Sequence, residues 1–287
     1  LPTKVRIMID RMRIVSWNIA HRIEPWRVLV DSGVDVALLQ EAQRPPPDLS
    51  DMVEIDAAEW RTEGAALERP WRTAVVGLSD QVRIRHRSLA PLISASRDEM
   101  AVSMPGALAV ADMEIVETGE IITLASLYGL WETPVAQTES NWIYADASVH
   151  RLISDLSALI GRQRGHKLIA AGDLNILHGY GERGSSYWKA RYDTIFARME
   201  ALGLRFVGPQ APEGGMQAQP WPGELPRDSR NVPSYRTRQK RPETGTRQLD
   251  FVFTSAEIYG RVGARALNAP EDWGPSDHCR VLIELEV

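Results

Sequence analysis

Only one cysteine, Cys279, occurs in 287 residues, so an intramolecular disulfide is excluded. That fits a reducing compartment, and a cytoplasmic protein is expected. No apolar run approaches the roughly 20 residues that a membrane helix needs. The N-terminus also lacks the apolar stretch of a secretory signal. No membrane span is therefore expected, and nothing in the chain implies an obligate protein partner. Positive charge is not in excess: 33 Lys and Arg against 38 Asp and Glu leave a net −5. Any anionic ligand must therefore be met by a local basic patch rather than by the whole surface. Histidine and cysteine never cluster at zinc-ligand spacing, so a zinc centre is not expected. Internal repeats and low-complexity tracts are missing as well.

What is there is an ordinary globular composition, 44 % hydrophobic and 25 % charged, long enough for one large domain or two small ones. Arg13–Trp17 reads as a strand ending at Asn18. Pro25–Val30 has the character of a helix start, with Gly33 as its stop. Val34–Gln40 is a buried-strand run ending at Glu41, and the proline-rich Gln43–Asp48 must be loop. Met52–Arg72 carries no readable period. Thr73–Gly77 and Gln81–Arg87 read as consecutive strands. In the second, Arg83, Arg85 and Arg87 share one face, most simply a solvated one. Ala107–Val116 and Glu120–Leu127 form a pair around a turn at Glu117-Thr118-Gly119, delivering Tyr128. Val149, Leu152, Ile153, Leu156, Leu159 and Ile160 repeat at helical spacing. Trp188, Tyr192, Ile195, Phe196, Met199 and Leu202 mark a second helix capped by Gly203, with those aromatics in the core. Gly208–Gly245 is rich in Pro and Gly and reads as a long irregular excursion. Leu249–Phe253 and Arg280–Val287 are the last strands. Leu1–Arg11 has no Met at its start and stands before Met12 and the first strand. It is read as an N-terminal extension, a candidate non-native segment, and is given no role.

The centre of this pattern is Leu168–Ile176, LIAAGDLNI, an apolar run that ends in polar residues as a buried strand does at a sheet edge. Two residues apart, Asp173 and Asn175 share a face if strand geometry persists. Alone, GDLN is most simply an Asx-rich turn. But Asn18, Glu41, Tyr128, Asp250 and Asp277-His278 also stand where apolar strands stop, and strand ends at one sheet edge converge.

The series SWN (Ser16–Asn18), LLQE (Leu38–Glu41), GDLN (Gly172–Asn175), LDFVF (Leu249–Phe253) and SDH (Ser276–His278) resembles the endonuclease/exonuclease/phosphatase superfamily, which includes DNase I and the exonuclease III-type repair nucleases. The motifs run from Asn18 to His278, some nine-tenths of the chain, so a single catalytic domain over residues 12–287 is expected. The resemblance implies an α/β fold, a four-layer αββα sandwich of two mixed, mostly antiparallel sheets flanked by helices.

The chemistry suits these residues. Mg²⁺ takes oxygen ligands and keeps several waters, so one or two carboxylates plus a substrate phosphate suffice. Glu41 is the expected anchor with Asn18 beside it, and Mn²⁺ a workable substitute; the resemblance makes Asp277 a further metal or water ligand. Negative charge gathering on a phosphodiester under attack would be met by the metal, by the amides of Asn18 and Asn175 and by a protonated His278. The resemblance pairs Asp250 with His278, the carboxylate orienting the imidazole, and makes Tyr128 a phosphate contact. Asp173 is placed to orient or deprotonate the attacking water. Whether Asp173 or His278 takes the proton stays open in the sequence. His150 is most simply structural. Two departures stand out. Repair-type members often carry an Asp where Ala20 stands, and an aromatic pocket for an abasic sugar where Arg247-Gln248 stand, which speaks against abasic-site cleavage. Nothing recommends the phosphoinositide phosphatase branch.

Arg227–Arg247 holds six Arg and one Lys against Asp228 and Glu243, a net +5 inside a chain of net −5. A basic, proline-broken loop leading into Asp250 suits a polyanion across the site, with Arg236, Arg238 and Arg247 on phosphates and Tyr235 stacking a base. A solvated surface loop is its plain alternative. The expected activity is that of a Mg²⁺-dependent phosphodiesterase acting on nucleic acid, DNA or RNA. Phosphatase or phospholipid phosphodiesterase action on the same core is the alternative. A non-catalytic binding module ranks last, because the principal positions are intact.

Overall fold

A computed structural model describes residues 11–64, 67–134, 142–160 and 165–287 of the chain. The extension assigned to Leu1–Arg11 lies outside these residues except for Arg11, which opens the first strand.

In chain order the strands are β1 (Arg11–Asn18), β2 (Val36–Ala42), β3 (Thr62–Gly64), β4 (Leu67–Arg69), β5 (Arg72–Gly77), β6 (Val82–His86), β7 (Leu89–Pro91), β8 (Met100–Val102), β9 (Leu108–Ile115), β10 (Ile121–Tyr128), β11 (Leu168–Asp173), β12 (Leu204–Gly208), β13 (Asp250–Ser255), β14 (Val262–Ala266) and β15 (Val281–Glu286). The helices are α1 (Glu24–Asp31), α2 (Asp146–Ile160) and α3 (Ser186–Ala201). No helix among the described residues is long and apolar enough to cross a membrane.

Strands 14, 15, 1, 2 and 5 form a five-stranded sheet and strands 12, 13, 11, 10, 9 and 6 a six-stranded one, in those spatial orders. Each is antiparallel but for one parallel pair, β1 with β2 and β10 with β11. The two-residue period of a strand sorts the side chains. Met12, Ile14, Val36, Leu38, Ile169, Ala171 and Val252 meet between the two sheets. Their neighbours on β1 and β2, Val15, Trp17, Ala37 and Leu39, face Trp26 and Leu29 of α1. Leu168 and Ala170 face Val149, Leu152, Tyr192 and Ile195 of α2 and α3. The outcome is four layers, α1, sheet, sheet, α2 with α3, as the family resemblance implies.

Several expected ends shift for local reasons. The proline-rich stretch expected as loop closes into a 3-10 turn over Pro47–Met52, with Pro47 in its first turn. Helix α2 starts at Asp146, before its apolar stripe, and α3 starts where the Ser185 hydroxyl accepts the Trp188 N–H. Gly33 and Gly203, both at positive φ, follow α1 and α3. Strands β12 and β14, unmarked in the sequence reading, lie at the edges of the two sheets. Between β12 and β13 the described chain has one 3-10 turn, Pro242–Thr244, and otherwise irregular backbone. Arg83 and Arg85 are exposed, and Arg83 and Arg87 pair with Glu114 and Asp112 across to β9, as a solvated face requires.

Candidate active site

The space between the sheets turns polar one step before the strands end. Gln40 donates to Ser126 at 3.0 Å and, more weakly, to Ser16 at 3.4 Å. The Ser126 hydroxyl donates to the Leu39 carbonyl at 2.8 Å, tying β10 to β2. Just beyond, Tyr128, Asp173 and Asp250 are register partners on three adjacent strands of the six-stranded sheet. Asn18 and Glu41 arrive from β1 and β2 of the other sheet.

Asn18 joins the two sets. Its Nδ2 donates to Asp173 Oδ2 at 2.9 Å and to Glu41 Oε1 at 3.2 Å, while its Oδ1 accepts the Ala20 N–H. Expected among the metal ligands, Asn18 therefore has its oxygen engaged and bridges two carboxylates through its nitrogen. Tyr128 donates its hydroxyl to Glu41 Oε1 at 2.7 Å, so the expected phosphate contact is first a carboxylate contact. His21, which the sequence reading passed over, places Nδ1 3.2 Å from Glu41 Oε2. Ala20, His21, Glu41 and Asn175 all hold positive φ without being glycine, a backbone arrangement that concentrates at functional sites.

Asp173 accepts the Asn175 backbone N–H at 2.8 Å and its side-chain amide at 3.2 Å, so the two residues do share a face. The same amide donates to the Gly129 carbonyl, and the Gly129 N–H donates to the Asp173 carbonyl. This approach requires glycine, because a Cβ at position 129 would stand 2.1 Å from the Leu174 carbonyl oxygen. His278 holds Nδ1 2.8 Å from Asp250 Oδ2 and Nε2 3.6 Å from Asp173 Oδ2. Its segment is pinned to β1: the Trp17 indole donates to the His278 carbonyl and the Ser276 hydroxyl to the Asn18 carbonyl. Tyr235 lies against the imidazole with ring centroids 5.0 Å apart.

The electrostatics separate the roles of these groups. Burial works against ionisation of Glu41, but hydrogen bonds from His21, Tyr128 and Asn18 hold its pKa below the usual carboxylate range. Burial, reinforced by the Asp250 charge, pushes Asp173 up to about 7, against the His278 charge and the Asn18 bond. Burial also works against charge on His278, yet the Asp250 and Asp173 carboxylates raise it to about 10. Burial and the neighbouring Glu41 charge push Tyr128 well above the ordinary phenol value. The arrangement is thus an ionised Glu41, a protonated His278 and a buried Asp173 that can gain or lose a proton near neutrality.

A cavity of about 730 Å³ opens onto Glu41, Asp173, Asn175, Asp277 and His278. Among the described residues, Asp173, Asp250 and His278 form a group whose ligand atoms lie within 4.8 Å of one another, close enough to hold a metal ion. Both ring nitrogens of His278 already face carboxylates. The other donors toward the cavity are carboxylate and amide oxygens, a set suited to a hard cation such as Mg²⁺ rather than to zinc.

The expected substrate-side residues divide. Tyr235 and Arg247 line the cavity, and Arg247 pairs with Glu182 at 3.1 Å. Arg238 is exposed on the loop surface and does not line the cavity. Arg236 is turned inward: its guanidinium donates to the carbonyls of Arg238, Lys240 and Ser276, so it holds the loop onto the Ser276–His278 segment. His150 lies away from this constellation, contacting Thr194 and Arg198 of α3.

No family model matches the sequence, and no curated protein matches it either. Solved structures do resemble it. The endonuclease domain of TRAS1, a telomere-specific non-LTR retrotransposon, is similar with a TM-score of 0.57 and 16 % identity, covering 96 % of this chain and 99 % of that one. The AP endonuclease LMAP from Leishmania major gives 0.59 and 14 %, covering 97 % and 88 %. The 3' phosphatase NExo from Neisseria, solved with a product DNA hairpin, gives 0.57 and 14 %, covering 96 % and 100 %. The chain therefore has the DNase I-like fold of the endonuclease/exonuclease/phosphatase proteins.

Proposed function

We propose that the chain is a divalent-metal-dependent phosphodiesterase that cuts nucleic acid, with residues 12–287 acting as one catalytic domain. The observation that carries this reading is the continuous polar chain from Glu41 through Asn18, Asp173 and His278 to Asp250, drawn from both sheets, with Glu41, Asp173 and His278 opening onto one cavity. Each of the three solved neighbours is an endonuclease or was solved with DNA, which favours the same substrate class here. The buried Cys279 and the lack of a disulfide suit a cytoplasmic enzyme.

Glu41 and Asp277 would hold Mg²⁺, or Mn²⁺ in its place, with Asp173 at its margin. The ion would supply positive charge to a phosphoryl oxygen. The remaining roles fall to the chain. Asp173 is the general base: its raised pKa and its bonds from Asn18 and Asn175 fit it to orient a water and take its proton. His278 already holds a proton at neutral pH, so it donates to the phosphate rather than accepts from water. Asp250 fixes the imidazole through Nδ1. His278 meets the charge that grows on the phosphate, while Asn175, its amide given to Asp173 and the Gly129 carbonyl, positions Asp173.

The test is purified protein with Mg²⁺ or Mn²⁺ against DNA, RNA, nucleotides and phospholipid vesicles, read by product. Phosphodiester cleavage of polynucleotide should stop with EDTA and return with metal. Glu41→Ala should abolish both cleavage and calorimetric metal binding. Turnover of phosphomonoesters or phospholipids alone would replace the nuclease reading with the corresponding hydrolase.

A further inference from the structure

Hydrolysis of a phosphodiester requires polar groups, yet much of this cavity is aromatic. Trp71, Trp131 and Trp142 line it, together with Leu130 and Leu249, beside Asp173 and His278. Trp71 stands edge-on to Tyr128 with centroids 4.9 Å apart, and Trp131 edge-on to Trp142 at 6.4 Å.

The wall that carries Trp131 is built rather than incidental. The Ser148 hydroxyl of α2 lies 2.8 Å from the Leu130 N–H and 3.0 Å from the Leu130 carbonyl. Glu132 and Ile143 exchange both backbone hydrogen bonds, and the buried Glu132 carboxylate pairs with Arg151 of α2. Trp131 is held between these two clasps. Tyr144 packs tilted against Trp131 at 4.7 Å, and Trp188 tilted against Tyr144 at 4.1 Å. The two bonds between Gly129 and the Asp173–Asn175 turn tie the wall to the catalytic strand.

A flat π-face next to a phosphate site calls for a flat ligand attached to a phosphate. Bases meet that description, and aromatic side chains stack any of them. Within a duplex both faces of a base are covered, so only an unpaired or extruded base can reach such a wall. An abasic sugar has no π-face to offer. A quaternary ammonium headgroup would also suit indoles, and phosphatidylcholine vesicles test for it. We infer that the aromatic wall receives an unpaired nucleobase adjoining the phosphate to be cut, so that the substrate is a single strand, an overhang or a free nucleotide. This rests on the phosphodiesterase reading.

The experiment uses the full chain carrying Asp173→Asn, to silence cleavage, and reads tryptophan fluorescence quenching on equilibrium binding. The ligands are a single-stranded oligonucleotide, the same backbone with abasic analogues throughout, a blunt duplex, a dinucleotide and phosphatidylcholine vesicles. The single strand should bind about tenfold or more tighter than the base-less backbone. Trp131→Leu should erase that preference, and Trp131→Phe should restore most of it, because Phe keeps the π-face and Leu only the bulk. Dinucleotide binding as tight as the oligonucleotide would identify free nucleotides as the source of the base. Equal binding of base-bearing and base-less backbones, an equal loss on both with Trp131→Leu, or binding of vesicles alone would overturn the inference. Unaltered protein with Mg²⁺ on the same oligonucleotides separates the two readings. Cleavage indifferent to bases defeats only this inference, whereas no cleavage of any of them defeats the phosphodiesterase reading itself.

Discussion

Asp173 is 1 % exposed and its pKa is pushed up to about 7 by burial, so its ionised form works against folding. The unfolded value is about 3.9. The cost is therefore nil below that pH and grows as pH rises through the folded value. Asp173→Asn should then raise the melting temperature at pH 8 in EDTA while lowering kcat by roughly 10²–10⁴-fold. Calorimetry and kinetics on the same protein check both, and a lower melting temperature would mean that bonds specific to the carboxylate outweigh burial. The Asp250–His278 contact of 2.8 Å makes a second prediction. If the pair acts as a unit, Asp250→Asn combined with His278→Ala should cost little more than His278→Ala alone; losses that multiply would show two independent groups. At this scale the ends of apolar strands made Glu41, Asp173, Asp250 and His278 legible as a set. The inward turn of the Arg236 guanidinium was not legible, because a run of arginines reveals charge but not direction. His21 was missed because its partner Glu41 is twenty residues away and the meeting depends on two left-handed backbone turns.

At the scale of elements, Glu120 just before β10 binds Lys167, which precedes β11, and Arg261, which leads into β14. It therefore joins the six-stranded sheet to the edge of the five-stranded one. Hydrogen bonds from Arg261, ahead of the opposing effect of burial, and those from Lys167 lower its pKa to about 2. A depressed carboxylate adds stability above its unfolded value near 4.3, and that contribution is lost as pH falls toward 2. Glu120→Gln should lower the melting temperature at pH 7 and converge with the parent protein as pH approaches 2. A constant gap across that window would show the clamp acting through packing instead of charge. The central strands were readable because both their faces are buried and their apolar runs are continuous. Strands β12 and β14 escaped notice because each edge strand carries exposed positions, Arg205 in one and Gly263 and Arg265 in the other.

Across the whole molecule, a net +5 over Arg227–Arg247 leaves −10 on the remainder. Arg238, Lys240 and Arg241 are exposed on that loop, whereas Arg236 supports it. Changing those three to Ser should flatten the dependence of log affinity on log salt by about 2 to 2.7 for polynucleotide, at ~0.7–0.9 per phosphate contact. Hydrolysis of a small phosphodiester should be spared. Equal losses on both substrates would make the loop a support of the site, and no change on either would leave it a solvated surface. The pins between Trp17 and His278 and between Ser276 and Asn18 join residues 261 and 258 positions apart. During synthesis β1 emerges early, and its flank waits for β15. A nascent or prematurely terminated chain thus lacks the imidazole and the strand that seats it. Under the proposed function, a copy interrupted before His278 would therefore be inert toward phosphodiesters however much of its sheets had paired.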